Sequence, residues 1–328
     1  MTGITRRSTF GIAAIAAGAG LLPAAAAQAS PKSEVPDFER LTVRHRSVRI
    51  RGLDIFYREA GPRDAPALLL LHGFPTSSHM FRHLIPSLAD RYRLVAPDYP
   101  GFGRSSLPDR DKFTFSFAAL TDIVAEFTDA VGLDRHAIYI QDFGAPIGLR
   151  LALKRPNQVT AIISQNGNAY DDGLGPDWDE MRDLWSNPTP EKRAAIGPIS
   201  EARIKRNYTG GVPEEQLERL SPDNWTIDWT SLSRPGNGEA MLDLLTDYGT
   251  NVALYPAFHS FFRERRPPAL IIWGKRDPVF AVAGAKAYMR DLPHAELRLM
   301  DGSHFLLETH GPEASWHIRR FLDRTKLA

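Results

Sequence analysis

Cysteine is absent from the 328 residues. That removes disulfides, thiolate metal sites and a thiol nucleophile, and it leaves the fold standing on its core in any redox compartment. A surplus of one charge is missing too: the net charge is +1, too little to draw nucleic acid or anionic lipid to the whole surface. There is no internal repeat. The apolar stretch Gly11 to Leu22 is shorter than the ~20 residues a membrane-spanning helix needs. Glycine-rich phosphate loops are lacking as well. Gly101-Phe102-Gly103 has no third glycine and does not open the first βαβ unit, which sets a dinucleotide fingerprint aside. What remains, 43% hydrophobic and 24% charged residues, suits a soluble protein of one large domain or two modest ones.

The N-terminus carries an address. Arg6-Arg7 precedes the apolar run, Pro23 ends it, and Ala27-Gln28-Ala29 offers small residues where a signal peptidase reads. Residues 1–29 are therefore expected to be a twin-arginine signal. It implies a bacterial protein handled by the twin-arginine export machinery, already folded, and periplasmic or secreted, with a mature chain starting near Ser30.

Beyond it the pattern alternates. Leu41–Ile50 and Leu53–Glu59 read as a hairpin about Arg51-Gly52, and Ala67–Leu71 as a buried strand. Met80–Leu88 has helical spacing, Arg93–Ala96 is a strand, and Phe115–Val131 is an amphipathic helix. Strand Ala137–Ile140, helix Ala145–Lys154 and strand Val159–Ser164 follow. After a break come strand Ala269–Trp273, helix Ala283–Leu292, strand Glu296–Met300 and helix Pro312–Arg324. Strands alternating with helices predict an α/β fold, a mostly parallel sheet with helices on both faces. The break, 169–266, has no convincing strand but holds four of the six tryptophans. It reads as a helical insertion, either a lid over an apolar pocket or a subdomain that packs its tryptophans internally.

In an open α/β sheet, functional groups collect at the carboxyl ends of the strands. His72-Gly73-Phe74-Pro75 follows the first core strand, and Asp98-Tyr99-Pro100-Gly101-Phe102-Gly103 the second. Asp142, Asp277 and His304 each follow a later one. A carboxylate, a second carboxylate and an imidazole thus reach one edge in the order nucleophile, acid, base. Asp142 alone could be a helix cap; with the other two in register it reads as a nucleophile. Asp142-Phe143-Gly144 also spells a kinase metal motif, but the other kinase motifs are absent. His79 and His83 are four apart with no third ligand in view, so no metal site is expected, and no cofactor is implied. His72 is expected to shape its loop.

Taken together, H-G-F-P (72–75), D-Y-P-G-F-G (98–103), Q-D-F-G-A (141–145), W-G-K-R-D (273–277) and G-S-H-F (302–305) resemble the α/β-hydrolase superfamily over nearly the whole mature chain. The likeness is to its aspartate-nucleophile branch, which includes epoxide hydrolases and haloalkane or haloacid dehalogenases. The resemblance implies a core of residues 38–168 and 267–328 with a helical cap at 169–266. It implies Asp142 as the nucleophile that forms an alkyl ester, His304 as the base that activates water, and Asp277 as the acid that orients His304. An oxyanion hole from the N–H groups of Phe74 and Phe143 is implied as well. The substrate would be a small apolar epoxide or organohalide, with water as co-substrate.

The two chemistries differ in what receives the leaving group. Haloalkane dehalogenases commonly carry Asn and Trp where Phe74 and Phe143 stand, so the halide's N–H donors are missing. Fluoroacetate dehalogenases commonly place Arg at the site of Phe143. Epoxide hydrolases use lid tyrosines, and Leu245-Thr246-Asp247-Tyr248 resembles the segment bearing one, which makes Tyr248 the candidate proton donor. A second donor is less well matched, with Tyr170 and Tyr208 as candidates, while Trp185 remains a possible halide donor. Epoxide hydrolysis leads, dehalogenation is the alternative, and a non-catalytic ligand-binding protein on the same fold is the alternative of another class.

Overall fold

The computed structural model describes residues 41–325 and 327. The expected leader, 1–29, lies outside the described residues. Eight strands form one sheet: β1 (Arg44–Ile50), β2 (Leu53–Ala60), β3 (Ala67–Leu71), β4 (Arg93–Pro97), β5 (His136–Gln141), β6 (Val159–Gln165), β7 (Ala269–Gly274) and β8 (Glu296–Met300). Their order is β1-β2-β4-β3-β5-β6-β7-β8. β2 runs antiparallel to β1 and β4, and every other pairing is parallel.

The central strands are apolar without alternation because both of their faces are covered. Leu69, Leu71, Ile138, Ile140, Ile271 and Trp273 point into one apolar layer. Their neighbours Leu68, Leu70, Ala137, Tyr139, Leu270 and Ile272 point into the other. Each leucine or isoleucine among them contributes roughly 1.5–3 kcal/mol when fully buried, so the middle of the sheet is the rigid part of the molecule. From β3 the chain first steps outward to β4 and then returns to the opposite flank of β3 as β5. The order therefore reverses between β3 and β5, which is where open sheets leave a crevice at their carboxyl ends.

Between β6 and β7, residues 171–265 contain helices and no strand. Three expected elements are displaced by three residues or more, or are split. The hairpin starts at Arg44 rather than Leu41. The helix expected over Met80–Leu88 is two pieces, a 3-10 turn Ser78–Phe81 and a helix Leu84–Leu88. Pro86 explains the split: it lacks an N–H, and its ring would clash with the carbonyl of Arg82 in a continuous helix. The final helix begins at Leu306, not Pro312, and bends at His310 (φ −127°). The same proline geometry, acting on the carbonyl of Glu308, accounts for that bend.

The helix after β5, Gly144–Lys154, starts hard against β3. A Cβ at Gly144 would lie 2.1 Å from the carbonyl oxygen of Leu71. Gly144→Ala should therefore destabilise the protein by about 1–3 kcal/mol through overpacking, read as a lower thermal unfolding midpoint. Gly238→Ala, near the start of helix Asn237–Asp247 with open space around it, should be neutral or slightly stabilising. Equal midpoints for the two variants would contradict this account.

Candidate active site

The sheet register sets the site. Leu71 pairs with Ile140, and Gln141 with Gln165, so Gly73, Asp142 and Asn166 lie side by side just past three adjacent strand ends. Asp142 has φ 48°, a left-handed conformation that costs a non-glycine residue of order 1–3 kcal/mol. The turn is held from both sides: Ala145 N–H donates to the Asp142 carbonyl at 2.9 Å, and Asp142 N–H points at the Asn166 carbonyl at 3.4 Å. Gly73 has no room for a side chain, since a Cβ there would meet the Asp142 Cβ at 2.3 Å. This closeness brings Phe74 N–H within 2.7 Å of Asp142 Oδ1, and Phe143 N–H also donates to the carboxylate.

The other oxygen, Oδ2, lies 3.6 Å from His304 Nε2. His304 Nδ1 donates to Asp277 Oδ2 at 2.9 Å. That carboxylate is fully engaged, for Oδ2 also accepts from Asn166 Nδ2 at 2.6 Å and Oδ1 from Val279 N–H at 2.7 Å. Gln165 Nε2 donates to the His304 carbonyl at 2.9 Å and fixes the loop that carries the imidazole. Asp142 and His304 are only 5% and 2% exposed, so water does not screen them and their mutual geometry decides their charge.

Burial pushes the Asp142 carboxyl above its usual range and Asp277 adds to this, although His304 and the N–H groups of Phe74 and Phe143 oppose it. Burial pulls His304 down, but the Asp277 and Asp142 carboxylates outweigh it and leave the imidazole raised. His72, by contrast, is pushed down to about 4 by burial. It stacks on Tyr99 at 4.1 Å and bonds to the Gly73 carbonyl at 2.9 Å, which is a loop-shaping role. Asp98 serves its own loop, accepting from the N–H groups of Ser78 and Arg104. Among the described residues no group of three or more His, Asp or Glu side chains is placed to hold a metal.

Rings enclose the carboxylate. Phe143 lies 5.7 Å from Phe74 and 6.0 Å from Tyr248. Trp178 lies 5.4 Å from Tyr248 and stacks on Phe280 at 5.4 Å, and Phe280 reaches His304 at 5.9 Å. The chain of aromatic contacts thus runs from Phe74 round to His304, and Trp178, Trp185 and Tyr248 carry it through the helical segment. Tyr248 is buried, and its hydroxyl closes no well-formed hydrogen bond. The Tyr255 hydroxyl lies beside it and is itself engaged by Asn168 Nδ2 at 3.1 Å. Burial foremost, with Tyr255 and Asp142 adding, holds the Tyr248 phenol protonated well beyond its usual range.

Some expectations need correcting. Trp185 has no N–H to offer a halide, because its indole nitrogen donates to the Leu245 carbonyl at 3.0 Å. Tyr170 and Tyr208 are also committed, to Asp291 at 2.8 Å and to Asp228 at 2.6 Å. Two residues went unnoticed in the sequence. Asn166 directly follows β6 and holds Asp277. Tyr255 opens the helix Tyr255–Arg265, separate from the one that Tyr248 ends, so no helical spacing links the two.

An alpha/beta hydrolase fold model matches residues 66–311: the chain belongs to the α/β-hydrolase family, in the branch with epoxide hydrolases and haloalkane dehalogenases. It is 42% identical over 264 residues to an uncharacterized hydrolase of Saccharomyces cerevisiae, spanning 79% of this chain and 90% of that one. It is 36% identical over 287 residues to the haloalkane dehalogenase of Psychrobacter cryohalolentis, spanning 82% and 88%. The fold is shared with the crystal structure of epoxide hydrolase VrEH1 from Vigna radiata, at TM-score 0.68 and 24% identity over 86% of this chain and 98% of that one.

The charge state of Asp142 generates a stability prediction. A carboxyl raised by burial costs folding energy once it ionises, and the cost appears as pH rises above 3.8, the ordinary value, and through the raised one. Asp142→Asn removes that charge, and asparagine tolerates positive φ. The variant should match the wild type in acid and become more stable than it toward neutral pH, as measured by chemical denaturation across pH. A gap that shrinks with rising pH would contradict the burial argument.

Proposed function

We propose that the protein is an epoxide hydrolase working without a cofactor through an ester on Asp142. The observation that carries this reading is the division of labour on one carboxylate. Oδ1 accepts the Phe74 backbone N–H, while Oδ2 faces the imidazole at 3.6 Å. Oδ2 attacks an epoxide carbon, the ring C–O bond breaks, and its electron pair stays on oxygen, which takes a proton from Tyr248. His304 Nε2 then takes a proton from water, and the hydroxide adds to the Asp142 carboxyl carbon. The resulting oxyanion forms at Oδ1, where the N–H groups of Phe74 and Phe143 stabilise it. Its collapse expels the diol alkoxide, the imidazolium returns its proton to that alkoxide, and the carboxyl proton that the hydroxide brought to Asp142 passes to the tyrosinate, which regenerates both groups. Asp277 orients the imidazole and balances its charge.

Carbon–halide hydrolysis would use the same nucleophile and is favoured by the dehalogenase relatives. It needs N–H donors for the departing halide, however, and Trp185 has spent its own on Leu245. The buried Tyr248 hydroxyl, with the Tyr255 hydroxyl beside it, suits a nascent alkoxide better. Retention of the fold for ligand binding alone accords poorly with a buried carboxylate and imidazole poised 3.6 Å apart.

Asp142→Asn should abolish turnover, and His304→Gln should accumulate the ester, read as a mass gain on the peptide holding Asp142. In a single turnover in heavy-oxygen water the label should enter Asp142 and not the diol. Label in the diol would mean direct attack by water. Tyr248→Phe should slow epoxide opening on the order of 10²-fold with little change in binding, and unchanged turnover would remove Tyr248 from the donor role. Halide release without diol formation, across a screen of both substrate types, would favour the dehalogenase reading instead.

The leader is the basis for a second proposal, export by the twin-arginine route. Arg6→Lys with Arg7→Lys should leave an uncleaved precursor in the cytoplasm of a competent bacterium. Unimpaired export of the double variant would overturn it.

A further inference from the structure

The residue before Asp142 has so far been given no part in the chemistry. Gln141 is fully buried, and its side-chain Nε2 lies 3.0 Å from Nε2 of His304. Its carbonyl oxygen is buried without a partner and packs against Gly73, where a Cβ would come within 2.4 Å of it. With the Nδ1 proton committed to Asp277, an uncharged imidazole presents a lone pair at Nε2, and only a donor can fill it. Reversing the amide would set a carbonyl against that lone pair and strand two amide hydrogens instead, so the neutral ring selects the orientation seen.

The charged groups facing His304 are Asp277 and Asp142, and the rings of Phe280 and Phe305 lie 5.9 and 5.2 Å from it. Both carboxylates favour the imidazolium, which cannot accept a proton from water. We propose that Gln141 is a positioning residue for the ester-cleaving half of the reaction: its amide N–H, donated to Nε2, opposes the two carboxylates and keeps His304 an uncharged base. This rests on the ester reading above. Alkylation of Asp142 needs no base, so the influence of Gln141 falls on the second half-reaction, when water displaces the amide hydrogen from Nε2.

The test compares wild type with Gln141→Met, which keeps the bulk but has no donor, and Gln141→Glu, which keeps the shape and adds a charge. One neutral hydrogen bond changes an ionisation constant by roughly three- to tenfold. The His304 titration, followed by NMR in substrate-free enzyme, should therefore move to higher pH by about half to one unit in Gln141→Met. It should move further in Gln141→Glu, which also covers the case in which the methionine variant does not fold. With styrene oxide as probe in single turnovers, ester hydrolysis should slow by about three- to tenfold at pH values on the acid limb and recover as pH rises, while ester formation changes less than about twofold. A titration that stays put or moves to lower pH in folded variants would overturn the proposal. So would an equal slowing of both halves at every pH. If wild type forms no ester at all, the ester reading fails while the titration still reports on the Gln141 bond.

Discussion

The site hangs on the backbone of Asp142. At φ 48° the residue sits where an L-amino acid is disfavoured, and the surrounding sheet holds it there. The register between β3 and β5 places Gly73 against it, Phe74 N–H ties down one carboxylate oxygen, and Gly144 lets the next helix start against Leu71. Relaxing the turn would move the carboxylate off the Phe74 amide and out of line with His304 together. The local cost, of order 1–3 kcal/mol, is offset by a sheet whose central strands are buried on both faces. Strain at the edge is sustained by rigidity at the centre.

Electrostatics then follow from geometry. Asp277 is satisfied by three donors, His304 Nδ1, Asn166 Nδ2 and Val279 N–H, which hold its side chain in place. Asp142 is only partly satisfied, and burial pushes its carboxyl up. An aromatic enclosure keeps water away, which strengthens every remaining charge interaction and makes an uncompensated one costly. Of the two carboxylates, Asp277 is held by its donors and Asp142 is left the less satisfied.

This division decides what could be read from sequence. Ala67–Leu71 and Glu296–Met300 match their observed bounds because each is delimited by turn residues and strands rise uniformly. The gathering of Asp142, Asp277 and His304 at one edge was legible for a similar reason, since parallel topology sends every strand end the same way. What escaped depends on partners rather than periodicity. Pro86 and Pro312 each redraw a helix through a clash four residues back. The indole N–H of Trp185 is available by its residue type alone, but the fold commits it to the Leu245 carbonyl. Tyr170 and Tyr208 likewise turned out to be tied to carboxylates far along the chain, and Asn166 carries no pattern that announces its hold on Asp277. A sequence shows which side chains can donate, but folding determines which have already done so.

The same distinction bears on the leaving group. A halide ion expelled into this ring of aromatic side chains would lose its hydration and meet the phenyl rings of Phe74 and Phe143, while the indole N–H of Trp185 is already spent. An opened epoxide makes a different demand, because a proton delivered to its oxygen leaves a neutral alcohol and no stranded anion. Burial, Tyr255 and the Asp142 charge keep the Tyr248 phenol protonated, and its hydroxyl closes no well-formed bond of its own. In the proposed reaction Asp142 would become an ester and lose its charge, which would make the phenol easier to ionise when the ring oxygen requires the proton. The coupling between the Asp142 carboxylate and Tyr248 would therefore act in the direction that the proposed epoxide opening needs, and a halide would gain nothing from it.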